Sequence, residues 1–145
     1  MHRAPAGHRH ATPAQLLAAD GDVLVLSALE GALTKANAGA VQAKVVLELA
    51  NGPTTPEADA ILQRRKVTVI PDVLANAGGV IVSAFEWEQN RSGGSWTEGE
   101  VKAKLEPMMT ANAESVWQLA KKKRVSLRTA CFLLALQRIA QAMAK

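Results

Sequence analysis

Between Pro71 and Trp87 the chain sets Asn76, Gly78, Gly79, Val80 and Ser83 at spacings that can bind a small anionic molecule. An amide both donates and accepts without carrying charge, and a hydroxyl can donate to a carboxylate. Two glycines let a ligand approach the backbone where a Cβ would block it. The run Val67 to Ile70 reads as a strand feeding a loop that holds Asn76 and both glycines, with an amphipathic helix beginning directly after. That layout turns backbone N–H groups and the positive end of a helix dipole toward whatever lies in front, which suits a carboxylate or a phosphate. Ser83 follows Val80 by three positions, so on a helix the two share a face and offer one molecule a hydroxyl and an apolar contact. A strand-to-helix turn also needs glycine and asparagine for purely conformational reasons. Spacing alone leaves both readings open.

The elements that must position these residues alternate in type. Thr12 and Pro13 open a short helix to about Ala19. Val23-Leu24-Val25-Leu26 is a continuous branched run of the kind found in a buried strand. Thr34 is positioned to cap a helix to about Gln42, and Lys44 to Leu49 form a second strand ending in Ala50-Asn51-Gly52-Pro53. Thr55-Pro56-Glu57 opens the next helix, with a capping hydroxyl, a proline whose missing N–H is harmless there, and an acid in the first turn. Strand, helix and strand in this order give βαβ units and a parallel sheet. After Gly79 only helices are expected. Asn90 to Ser95 is a surface loop, Thr97-Glu98-Gly99-Glu100 is a capping box for a long helix toward Lys123, and Ser126 caps the last helix. In that helix Leu127, Ala130, Cys131, Leu134 and Met143 fall near one face. The fold class is therefore α/β, a partial Rossmann-like doubly wound domain of about three parallel strands followed by C-terminal helices.

Ligands in such sheets bind beyond the carboxyl ends of the strands. Three ends are visible: Ser27-Ala28-Leu29-Glu30, Ala50-Asn51-Gly52-Pro53 and Ala75-Asn76-Ala77-Gly78-Gly79. Asparagine follows two of them. No GxGxxG follows a strand and there is no GxxxxGK[ST], so no phosphate loop can be assigned.

Composition narrows the rest. A chain of 145 residues with 48% apolar and 21% charged residues suits one globular domain. One cysteine, Cys131, allows no internal disulfide, fits a reducing compartment and reads as core rather than nucleophile. The basic N-terminus lacks an apolar run of signal-peptide length and no apolar stretch reaches about 18 residues. The expected setting is the cytoplasm, with no membrane contact. The net charge of +4 is concentrated in residues 1–10 and in Lys121-Lys122-Lys123-Arg124. That second run sits where cations offset a helix C-terminus, and no aromatic residues interleave with it, which argues against nucleic acid. Trp87, Trp96 and Trp117 are expected to pack. Residues 1–11 read as a disordered lead-in, whose His8 and His10 have no carboxylate or cysteine partner, so no metal site is assigned.

One stretch, Leu47-Glu48-Leu49-Ala50-Asn51-Gly52-Pro53-Thr54-Thr55-Pro56-Glu57-Ala58-Asp59, together with Pro71 to Trp87, resembles the glutamate dehydrogenases and more broadly the Glu/Leu/Phe/Val dehydrogenase family. The likeness continues through Trp96-Thr97-Glu98, Val125 to Ala130 and Arg138-Ile139-Ala140, covering roughly Thr12 to Lys145, with residues 1–10 outside it. It implies that residues 12–145 are the C-terminal part of an NAD(P)-binding domain. The implied reaction is oxidative deamination of an amino acid to a 2-oxo acid and ammonia, with hydride passing to NAD or NADP. By the same resemblance Ser83 holds a substrate side-chain carboxylate and Val80 lines that pocket. Asn76 lies near substrate and nicotinamide, Asn51 lies on the nicotinamide side, and Ala28 lies on the cofactor side. A serine at position 83 points to a dicarboxylate such as glutamate. The family pattern Pro-Ala-Ala-Leu-Glu-Asn is here Ser27-Ala28-Leu29-Glu30-Gly31, a departure that removes an amide from the cofactor side. The family's catalytic lysine and aspartate and its glycine-rich turn match nothing in this chain, so no catalytic residue is assigned. Two roles follow: a fragment of such an oxidoreductase without full activity alone, or a non-catalytic subunit docking on a complete dehydrogenase, as a homo- or hetero-oligomer. The choice between NAD and NADP stays open.

Overall fold

The computed structural model describes residues 11–144; the expected lead-in, with His8 and His10, lies outside the described residues apart from Ala11. Three strands, β1 (Val23–Leu26), β2 (Val45–Glu48) and β3 (Thr68–Ile70), form one parallel sheet in the order β1-β2-β3. Val23 stands opposite Val45 and Val45 opposite Thr68, so all three strands run in step toward one carboxyl edge.

The helices form where their caps place them. Thr12 caps α1 (Pro13–Leu17) and Thr55 caps α2 (Pro56–Arg64), each followed by proline in the first turn. α2 covers one face of the sheet, burying Ala58 and Leu62 against Leu26, Val46 and Val69. The other face, with Val23, Val25, Val45, Leu47 and Ile70, carries no fully buried side chain. β1 is accordingly not the buried strand expected: Val23 and Val25 are 53% and 47% exposed, because side chains alternate across the sheet and only Leu24 and Leu26 face the helix layer.

Thr34 does not open a helix. Its N–H donates to Asn37 Oδ1 at 2.8 Å, and the Ala38 and Val41 carbonyls accept from the Arg65 guanidinium at 2.9 and 2.6 Å. The local Asn37 side chain and the tertiary Arg65 guanidinium compete with helical bonding, and only a 3₁₀ turn, Ala38–Ala40, remains.

After β3 come α3 (Asp72–Ala75), α4 (Ala77–Ser92), α5 (Glu98–Lys123) and α6 (Leu127–Met143). The expected loop from Asn90 is shorter, since α4 runs to Ser92 and stops at Gly93, whose φ of +68° only glycine adopts freely. The Thr97–Glu100 capping box and the Ser126 cap both form. Lys121, Lys122 and Lys123 occupy the last turn of α5, where their charge opposes the helix dipole. α5 packs against α4 and α6 around Val116, Ala120, Ala130 and Cys131. Leu127 and Leu134 join that cluster, whereas Met143 is 82% exposed and does not. No described helix is long and apolar enough to cross a membrane.

Of the three tryptophans only Trp96 packs as expected, edge-on to Phe85 with ring centroids 5.6 Å apart. Trp87 is exposed and lies under the Arg91 guanidinium at 4.6 Å, and Trp117 lies under Lys121 at 5.6 Å. Both cover their apolar faces with a cation rather than with the core.

Candidate functional site

The loops leaving the three strands meet at the carboxyl edge of the sheet and are stitched together. The Gly31 N–H donates to the Gly52 carbonyl at 2.9 Å, the Leu33 N–H to the Pro53 carbonyl at 2.8 Å, and the Thr55 N–H to the Leu33 carbonyl at 2.9 Å. These bonds fix the exposed loop carrying Ala28 against the loop carrying Asn51. Gly31 and Gly52 take φ of +64° and +56°. Left-handed backbone at position 31 suits glycine and asparagine alike, which accounts for the Gly31 departure in conformational terms.

The two candidate asparagines are brought into contact. Asn76 donates from Nδ2 to Asn51 Oδ1 at 2.7 Å and more weakly to the Leu49 carbonyl at 3.3 Å. With the Asn76 donors used in this way, its Oδ1 and the Asn51 Nδ2 are left without a protein partner among the described residues. The pair thus presents one acceptor and one donor side by side, the set a neutral carboxamide would match.

Asn76 and the two glycines are not in a loop. Asn76 joins α3 to α4, and Gly78 and Gly79 lie in the first turn of α4 with helical backbone. The Gly79 N–H is already spent on the Asn76 carbonyl at 3.2 Å. The helix therefore starts against α3 rather than facing open space after a strand, and the anion-facing backbone expected there is reduced. A Cβ at Gly78 would meet Leu105 Cδ1 at 3.9 Å and Met109 Sδ at 4.0 Å, whereas one at Gly79 would meet nothing within 4 Å.

What α4 does provide is a side-chain face. Asn76, Val80 and Ser83 recur at i, i+4 and i+7, one stripe of a helix. Val80 is 70% exposed and Ser83 is exposed too. The opposite stripe, Ala77, Ile81 and Phe85, turns inward, with Phe85 buried and the first two lining a groove against α5 and α6. The inward stripe orients the helix and so leaves the outward one available.

Beneath the asparagine pair lies an ionic cluster that sequence reasoning missed. Glu48, the last residue of β2, is 0% exposed. Its Oε1 accepts from Arg128 of α6 at 2.7 Å and its Oε2 from the Asp72 N–H at 2.9 Å. Asp72 Oδ1 lies 3.3 Å from the same guanidinium, Asp59 Oδ2 lies 3.5 Å away, and Asp72 Oδ2 accepts the Gly52 N–H at 2.8 Å. Burial works against the Arg128 charge, but hydrogen bonding to Glu48 and attraction from Glu48, Asp59 and Asp72 outweigh it and raise the guanidinium above its ordinary value. A glutamate inside an otherwise apolar strand was the one available signal.

Cys131 is buried, and burial pushes its thiol up by more than nearby Arg128 lowers it, the state of a core thiol rather than a nucleophile. A groove of about 400 Å³ lined by Lys66, Thr68, Trp117, Lys121 and Arg128 lies away from the asparagine pair, between β3 and the α5–α6 junction.

Comparison with known proteins places this arrangement. A model described as "Glutamate/Leucine/Phenylalanine/Valine dehydrogenase" matches residues 2–145, so the likeness starts ahead of the expected Thr12. The chain is 49% identical over 130 residues to the NADP-specific glutamate dehydrogenase of Synechocystis, covering 90% of this chain and 30% of that protein. It is 44% identical over 131 residues to a cryptic catabolic NAD-specific glutamate dehydrogenase of Bacillus subtilis, covering 90% and 31%. In structure it is similar to the hetero-hexameric glutamate dehydrogenase of Thermus thermophilus in its leucine-bound form, with a TM-score of 0.87, 34% identity, and coverage of 94% and 33%. The chain thus spans about a third of the length of the relatives it matches.

Proposed function

The chain belongs to the Glu/Leu/Phe/Val dehydrogenase family, and from that premise we propose that it supplies one wall of the substrate and nicotinamide site of a glutamate-dehydrogenase-like oxidoreductase. The observation that carries this reading is the Asn51–Asn76 pair, with Asn76 half-buried, standing at the head of the stripe that continues to the exposed Val80 and Ser83. Ser83 donates its hydroxyl to the side-chain carboxylate of an amino acid such as glutamate, and Val80 packs against the methylenes between. Asn76 and Asn51 offer their free acceptor and donor to the neutral carboxamide of the nicotinamide, and Ala28 flanks the cofactor from the loop after β1. The donor set fits that end of NAD or NADP. Asn76, Asn51 and Ala28 would hold the nicotinamide end of the cofactor, which when bound would supply hydride acceptance for an oxidative deamination that consumes water and yields 2-oxo acid and ammonia. The matched relatives include NADP-specific and NAD-specific enzymes, and nothing in these residues separates the two. A cytoplasmic setting belongs to this reading.

Taken alone, the chain is expected to turn over far below a complete dehydrogenase, because absence of a general acid–base group typically costs about 10²–10⁴-fold. A hydride-transfer assay of the isolated chain with glutamate and NAD or NADP checks this. Turnover at a complete enzyme's level would sink the claim that the chain is one wall only. The exposure of Val23 and Val25 on the sheet face opposite α2 favours a second reading, a non-catalytic subunit docked on a complete dehydrogenase, in a homo- or hetero-oligomer. Stable co-purification with such an enzyme and altered kinetics support it; an unassociated chain contradicts it.

A further inference from the structure

We propose that Arg128 is a positioning residue, which sets the geometry of the Asn51–Asn76 amide pair from α6. The inference rests on reading that pair as ligand-facing for its functional meaning, but its physical content stands on the bonds alone. Glu48 ends β2, Asp72 begins α3 after β3, and Arg128 holds both, at 2.7 and 3.3 Å. A planar guanidinium with five donors in a fixed fork can span two carboxylates at a set separation, which a lysine ammonium cannot. The two strand ends are thereby held in one register.

From Asp72 the constraint reaches both asparagines. Its Oδ2 accepts the Gly52 N–H at 2.8 Å, fixing the residue next to Asn51. Its carbonyl accepts the Asn76 N–H at 3.0 Å, fixing the backbone of the other partner. The side chains then close the ring, Nδ2 of Asn76 to Oδ1 of Asn51 at 2.7 Å. Gly52 adopts its left-handed backbone without strain, and the Asp72 carboxylate fixes the direction of its N–H. Glu48 contributes a second tie, accepting the Asp72 N–H at 2.9 Å. Asp72 Oδ1 also accepts the Val73 N–H at 2.8 Å, so removing the guanidinium leaves Asp72 on local backbone ties alone and uncouples the amide pair from α6, while the apolar layer under α2 has no direct part in the ring.

The test is heteronuclear NMR on the full chain, comparing the unsubstituted protein with Arg128→Gln, Arg128→Lys and, as a control on the same helix, Arg138→Gln. In Arg128→Gln the Gly52 N–H should exchange faster by about tenfold or more, as expected for loss of a charge-assisted tie, and the Asn76 side-chain amide resonances should move. The amides of Val46 and Leu62 register the loss of global stability, and the Gly52 and Asn76 changes should also appear as shifts in the native spectrum, which a purely structural loss would not produce. Arg128→Lys should restore part of the effect and Arg138→Gln none. Unmoved Gly52 and Asn76 signals in folded Arg128→Gln would overturn the proposal. Should that variant not fold, Arg128→Lys carries the test: its Gly52 N–H should still exchange faster than in the unsubstituted chain, and an unmoved one would overturn the proposal. Ligand binding enters none of these measurements, so failure here and failure of the proposed function are told apart.

Discussion

At the residue scale, charge at the foot of the site is concentrated on one cation. Arg128 faces Glu48, Asp59 and Asp72, and Glu48 has no access to solvent. Taking away one partner of a buried pair leaves the other unpaired and costs about 3–5 kcal/mol. Arg128→Met should therefore lower the urea midpoint by an amount equivalent to the lower part of that range, since its own side chain is partly exposed. A change under about 1 kcal/mol would contradict the cluster's role. Cys131 makes a second residue-level prediction. A thiol raised by burial holds little thiolate at neutral pH, so an aromatic disulfide reagent should label the native chain slowly and the denatured chain at once. Rapid labelling of the native protein would show the α5–α6 packing to be wrong. The proposed site residues Val80 and Ser83 were legible as one helical face because their spacing is local, whereas Asn76 read as a loop residue and not as the head of that stripe. Glu48, Asp72 and Arg128 were not legible, because their pairing joins positions far apart in the chain and leaves no periodic trace.

At the scale of elements, local rules worked where a cap or proline fixed the start. α1, α2, α5 and α6 all begin at their expected hydroxyl caps. They failed where tertiary partners competed. Arg65 claims the carbonyls that a helix after Thr34 would have used, and α3 continues into α4 through glycines that the sequence alone suggests are a loop. Gly79 has helical backbone and open space around its Cβ position, so Gly79→Ala should stabilise α4 by about 0.5–1 kcal/mol. Destabilisation in thermal melts would restore the loop reading of that junction. The α5 cap is pH-dependent. The backbone N–H of Thr97, and then its hydroxyl, hold Glu100 below its ordinary value of 4.5. A depressed folded-state value stabilises above the unfolded value and is lost as pH falls through the folded one. Fraying of the first turn of α5 should therefore appear only below about pH 4.5 and be abolished as a pH effect in Glu100→Gln, as followed by amide exchange at Val101.

For the molecule as a whole, the dominant fact is that among the described residues only one face of the parallel sheet carries fully buried side chains. Parallel sheets ordinarily carry helices on both faces, and here Val23 and Val25 are exposed on an edge strand whose outer side pairs with nothing among the described residues. The isolated chain should bind an apolar dye and self-associate, and Val25→Lys should reduce both with little change in melting temperature, because an edge charge blocks strand addition. Sequence patterning gave no warning of the open face, since a continuous apolar run reads as buried whichever elements are present to cover it. The central claim concerns the wall that remains, and it is tested most directly in a whole enzyme. Residues 12–145 should be grafted in place of the matching third of a complete relative such as the Synechocystis glutamate dehydrogenase, and glutamate kinetics measured with and without Ser83→Ala. A hydrogen bond to a charged group is worth about 1.5–3 kcal/mol. The account therefore predicts an active chimera in which Ser83→Ala lowers kcat/KM for glutamate by about 10- to 100-fold while cofactor binding is unchanged. An active chimera whose glutamate kinetics ignore Ser83→Ala would contradict it.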